Sequence, residues 1–214
     1  MTPEPAAPSP VMPPNRRQRR RLLRAFAGNK GGMAAVEFAL VVPIMITMYL
    51  GLIELTQALG HDRKAVLLAR TLADVVSQSM SISNSDMNGI FNAASATLAP
   101  YPASKVAMRV TSFTIDGAAN AYVDWSDVKN LASGNPYNAY GRCRVSNDLI
   151  PLALRAPRSW IILSEVRITH VPVFGTFVAP NGVEMTESLP MRPRVSTAIP
   201  REGIPTSRCP GSVP

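Results

Sequence analysis

The sequence has little of what reactive sites are usually built from. Only two cysteines and two histidines occur among 214 residues, and no CxxC pair or Cys/His cluster is present, which removes the common redox and zinc-site patterns. There is no Gly-rich phosphate loop, no HExxH and no GxSxG, so the familiar motifs of phosphoryl transfer, metalloproteolysis and acyl transfer are missing as well. His61 and His170 stand apart from any nucleophile or metal-ligand partner in the sequence and read as ordinary surface or strand residues. Charged residues make up 17% and aromatic residues 6% of the chain. The expectation is a structural or interacting protein: not an enzyme, with no cofactor and no bound metal, the alternative being an envelope enzyme whose site no motif reveals.

What is present is one long apolar run. Residues 33–53 read MAAVEFALVVPIMITMYLGLI and carry a single charge, Glu37. At 1.5 Å per residue this makes a helix of about 31 Å, which matches the hydrocarbon thickness of a bilayer. A buried core helix is the competing reading, but such helices are shorter and rarely apolar on every face. A carboxylate inside hydrocarbon costs about 2.5–3.5 kcal/mol on insertion scales, so Glu37 needs a cationic partner or a position near the headgroups. Pro43 removes one backbone donor within the run and predicts a kink.

The net charge of +8 is uneven. Residues 1–32 hold seven basic residues and one acid, Glu4, which leaves +2 for the rest of the chain. The cluster Arg16, Arg17, Arg19, Arg20, Arg21, Arg24 and Lys30 abuts the apolar run. By the positive-inside rule it holds the N-terminal side in the cytoplasm. Attraction to anionic headgroups accounts for such a run. A nucleic-acid patch would call for interleaved aromatics or a recognisable binding module, so no nucleic-acid partner is expected; a twin-arginine signal would call for a shorter apolar core and a cleavage site after it.

The stretch Gly32-Met33-Ala34-Ala35-Val36-Glu37-Phe38 resembles the type IV prepilin peptidase site in the form found in Flp-type pilins and pseudopilins. Widened to AAVEFALVVP followed by GLIEL and ARTLADVVSQ, the pattern over about residues 30–80 is similar to the TadE-like family of Flp (tight adherence) pilus assembly proteins. The resemblance departs at Thr56-Gln57, where the family often has Gly-Arg. It implies processing at Gly32, Met33, Glu37 and Phe38, with cleavage after Gly32 and N-methylation of Met33. It also implies an assembly role for Glu37, and for Glu54 either such a role or that of a plain interfacial carboxylate. The implied partners are the membrane, a prepilin peptidase, other Tad pilus assembly proteins and pilin subunits.

Beyond the run, apolar residues recur every three or four positions from Leu52 through Leu55, Leu59, Val66, Ala69, Leu72, Val76 and Met80, predicting one helix over roughly 34–80 whose outer half is amphipathic. A short helix is expected from Met87 to Ala99 with Asp86 as N-cap and Pro100 and Pro102 as stop. Strands are expected at 105–116 and 121–125 around a turn at Gly117, at 159–171, and near 183–192 after a turn at Pro180-Asn181-Gly182. Residues 126–150 read as loop, with a short helix over 148–153.

Cys143 and Cys209 both follow the apolar run and are expected to pair as a disulfide, within one chain or between chains of a complex. The expected fold is α+β: a single-pass transmembrane helix continuing into a long amphipathic helix, packed on a small, mainly antiparallel sheet, pseudopilin-like. The expected organisation is a disordered basic cytoplasmic leader (1–32), a transmembrane helix (33–55), a periplasmic α+β domain (56–200) and a proline-rich tail (201–214) held only by Cys209. The functional expectation is a minor pseudopilin at the bacterial inner membrane. The alternative is an uncleaved anchor carrying a periplasmic protein-binding domain.

Overall fold

The computed structural model describes residues 31–99, 106–130, 136–173, 180–204 and 209. The leader up to residue 30, the prolines at 100 and 102, and the segment 174–179 lie outside the described residues. A helix, α1, spans Gly31–Ser77 and takes in Pro43 without interruption. The chain divides between Leu50 and Gly51 into two compact units.

In the first unit, the described residues 31–50 are all helical. None of the most apolar stretch of α1 is buried, although it is long and apolar enough to cross a membrane. Met33, Phe38, Leu40 and Met48 are each about two-thirds or more exposed. Exposed apolar side chains around a whole helix fit a lipid surround and no aqueous one. Within this stretch the Thr47 hydroxyl donates to the Pro43 carbonyl at 2.8 Å, so the hydroxyl's hydrogen bond is made within its own helix.

The second unit is a four-stranded antiparallel sheet with helices on one face. Its strands are β1 (Val106–Ile115), β2 (Ala121–Asn130), β3 (Trp160–His170) and β4 (Val183–Met191), in the order β2-β1-β3-β4. A second helix, α2, spans Asn84–Ala96. Its cap is Ser83, whose side chain accepts from the Asp86 amide while the Asp86 carboxylate accepts from the Ser83 amide. Asp86 is therefore the third residue of a capping box and not the cap itself, because the shorter hydroxyl reaches the exposed amides first and the acid reaches back.

Alternation along β1 and β3 sends even-numbered residues to the helical side and odd-numbered ones to the other. Val106, Met108 and Val110, with Ile162, Val166 and Ile168, pack against Leu68, Leu72 and Val76 of α1 and Met87, Phe91 and Ala94 of α2. The burial of α1 starts only at Ala65: Leu52, Leu55 and Leu59 stay more than half exposed, so the expected apolar stripe is only partly covered. The Ser164 hydroxyl donates to the Ala69 carbonyl at 2.6 Å and locks β3 to α1.

On the opposite face, Phe113, Ile115, Ile161 and Leu163 join Val123 and Ile150 in a second core. The sequence pattern gave no sign of this core, because its cover is the irregular segment 136–150. A register shift makes it possible: Ser112 pairs with Trp125, but Phe113 pairs with Val123. The extra residue is Asp124, and skipping it sends Trp125 to the helical core and Val123, two positions away, to the other. Burial pushes the Asp124 carboxyl above its usual range.

The strand β2 runs five residues beyond the expected end, to Asn130. The helix expected at 148–153 is a single 3-10 turn at Leu152–Leu154. At the β1–β2 turn, Asp116 accepts from the amides of Ala118 and Asn120 and from the Asn120 side chain. These bonds, with that from the Asn120 side chain leading, hold its carboxyl below the usual carboxylate range.

Two ties close the unit. A disulfide joins Cys143 to Cys209, which are 66 positions apart. Residues 199–202 are held by more than that bond: the Trp125 indole donates to the Ile199 carbonyl, Arg201 pairs with Asp127 at 2.8 Å, and the Glu202 carboxylate accepts from the Asn84 amide. Arg201 and Glu202, assigned to a loosely held tail from their proline-rich surroundings, thus belong to the folded unit, because their charged groups meet partners far away in sequence.

Truncating Leu72→Ala, fully buried between α1 and the sheet, is expected to cost about 2–5 kcal/mol in denaturant unfolding. Reducing the disulfide should cost up to about 4 kcal/mol by the loop-entropy account. Unchanged midpoints in both experiments would contradict this packing.

Candidate functional site

The residues singled out in the sequence fall into separate places. Gly32, Met33, Glu37 and Phe38 lie in the first turns of α1, all exposed. Met33 and Glu37 are four positions apart and so share one helix face. A Cβ placed on Gly32 would meet nothing within 4 Å, so the fold imposes no steric demand for glycine there.

Glu54 lies in the second unit and turns toward its own domain. Its carboxylate is 3.6 Å from Nε2 of His170, the last residue of β3, and both side chains are largely buried. The ring of His61, seven residues after Glu54 on α1, packs 4.7 Å from that of His170 at 43°. The two histidines that look unrelated in sequence are therefore neighbours, brought together by the return of β3 to α1. Only the topology carries that signal.

The most strongly organised polar cluster lies on the sheet face away from the helices. Arg109 of β1 and Glu165 of β3 are directly opposed in the strand register. The guanidinium meets the carboxylate through both Nε and Nη2 at 2.6 Å, with both side chains 9% exposed. Arg109 also donates to the Asn138 carbonyl and the Tyr140 hydroxyl. It stacks on the rings of Tyr137 and Tyr140, at 4.3 and 3.7 Å, and Arg167 covers Tyr137 at 4.3 Å. Burial leads in pushing both phenols above their usual range.

Arg109, Tyr137, Tyr140 and Arg167 line an open cleft of about 300 Å³, with Asn138, Gly141 and Arg144 on its wall. Their signal in the sequence is a charge of opposite sign near the centre of each of two apolar strands, Arg109 in VAMRVTSF and Glu165 in IILSEVRI, the latter followed by Arg167. Among the described residues no group of three or more His, Cys, Asp or Glu is placed to hold a metal ion. The arrangement suits recognition of charge.

Removing the acid alone, Glu165→Ala, leaves the Arg109 cation buried and should destabilise the domain by about 3–5 kcal/mol. The double variant Arg109→Met with Glu165→Leu should recover most of that loss, since well-packed apolar residues can replace a buried ion pair. Additive losses in the double variant would show that the two charges do not act as a pair.

No curated protein and no solved structure matches the chain. One family model does match, and it covers most of α1. Residues 32–74 match the model of the TadE-like protein family, over the segment in which the AAVEFALVVP and GLIEL motifs lie.

Proposed function

We propose that this chain is a minor pseudopilin that takes part in the assembly of Flp-type (tight adherence) pili and acts by structure, with no catalysis of its own. The observation that carries the reading is the coincidence of two things on one segment. The TadE-like match covers residues 32–74, and the same segment opens with an apolar helix whose side chains are exposed among the described residues. In this reading the helix is a single-pass anchor in the inner membrane, with the basic leader in the cytoplasm and the sheet domain in the periplasm. The Cys143–Cys209 disulfide supports that side, because such bonds persist in oxidising compartments.

Processing follows from the same reading. Prepilin peptidase cuts after Gly32, Met33 becomes the new N-terminus, and Glu37 then meets the ammonium of a neighbouring subunit inside the bilayer. The physical need is mutual: the acid and the amine each cost several kcal/mol alone in hydrocarbon and far less as a pair.

The test is the intact mass of the protein from its native membrane, where a chain starting at Met33 is expected. Gly32→Leu should leave the longer chain and block pilus assembly. Because a side chain at residue 32 meets nothing in the fold, that result would report recognition by the peptidase and not misfolding. Glu37→Ala should still be cut but should fail to assemble. A full-length mass where the peptidase is active would replace this reading with that of an uncleaved anchor carrying a protein-binding domain. Orientation has its own check: a reporter active only outside the cytoplasm, fused after Pro214, should be active.

A further inference from the structure

We propose that the cleft over Tyr137 and Tyr140 binds a carboxylate presented by another protein, either on an acidic side chain or at a chain terminus. The first argument is charge. Three guanidinium groups line the cleft, those of Arg109, Arg144 and Arg167. Arg109 is matched by Glu165, and Arg167 is matched by Glu184 at 2.9 Å. Arg144 has no ion-pair partner among the described residues. One positive charge therefore remains uncompensated at the mouth of the cleft. It suits a single negative charge, since the Glu165 carboxylate behind it repels a second.

The second argument is preorganisation. The backbone of Arg144 is pinned: its amide donates to the Gly141 carbonyl, and its own carbonyl accepts from the Val123 amide at 3.0 Å. The preceding residue, Cys143, is fixed by the disulfide. Its guanidinium lies 5.3 Å from the Tyr140 ring, and the residue is exposed. A pinned backbone removes the loop-ordering part of the cost of closing on a ligand and leaves the side chain's own rotamers to be fixed. A guanidinium offers the planar pair of donors that a carboxylate accepts in bidentate fashion.

The third argument is size. At about 300 Å³ the cleft lies at the low end of small-molecule sites, so it admits a head group and its first few carbons and no large cofactor. The site belongs to the sheet domain alone and does not depend on the pseudopilin reading or on processing of the leader.

The test uses the full chain in detergent micelles at fixed ionic strength, with side-chain NMR of the arginine Nε groups. The probes are N-acetylglutamate α-amide for a side-chain carboxylate, N-acetylalanine for a terminal one, N-acetylglutamine α-amide as the neutral control, and inorganic phosphate. Saturable shifts of the Arg144 resonance are expected with at least one carboxylate probe, and the tighter of the two identifies the source. Binding should weaken about tenfold or more in Arg144→Gln, with partial recovery in Arg144→Lys. Because Arg144 is exposed, neither substitution is expected to disturb folding, which the unfolding midpoint checks. Equal binding of the neutral amide, binding of phosphate without the carboxylates, or unchanged affinity in Arg144→Gln would each overturn the proposal.

Discussion

The pairing of β1 with β3 is what the rest of the domain hangs on. Both strands are central, every residue of β1 is buried, and nine rungs join the two. Strands buried on both faces cannot turn a polar side to water, so the domain needs cover on both sides of its sheet. The helices supply one cover, through α1 from Ala65 onward and through α2. The irregular segment 136–150 supplies the other, and the disulfide at Cys143 clamps it down. The Arg109–Glu165 pair sits where that second cover meets the strands, and its bidentate geometry meets the cost of placing two charges there.

The first unit obeys a different constraint. Its apolar residues are exposed around the helix, and in the proposed reading a bilayer would take the part that a protein core otherwise plays. In that reading one helix serves two solvents. Near its start, side chains such as Phe38 and Leu40 are exposed, whereas Leu68 and Leu72 are completely buried. The same residue type is used for opposite surroundings.

Much of this was legible in the sequence, for identifiable reasons. The apolar run, the helix continuing past it and the strands 106–115, 160–170 and 183–191 all follow from strong periodicity. The TadE-like resemblance rests on a local motif, AAVEFALVVP, which needs no tertiary information. What stayed hidden depends on contacts between distant residues. The second core needs Asp124 to be skipped in the register, and nothing in AYVDW announces a bulge. The Glu54–His61–His170 contact requires knowing where β3 ends relative to α1. The anchoring of Arg201 on Asp127 was masked by prolines that suggested a loose tail. The cleft combines β1, β3 and a segment that reads as featureless loop.

The strand order has a consequence for how the chain comes to be folded. β1 emerges with β2 as a hairpin, but its other edge waits for β3, which follows only after residues 116–159. In that interval the hairpin has one long, apolar, unpaired edge and one face whose cover, the segment 136–150, lies later in the chain than β2, whereas α1 and α2 precede it. Such an edge is a template for pairing with the wrong strand, and the nonlocal partner makes correct closure slow. The polar stretch between Asn130 and Asp148 separates the two strands with residues that have little tendency to compete for the edge. The most hazardous moment in the life of this protein therefore falls before it does any work, while its central strand is still half paired.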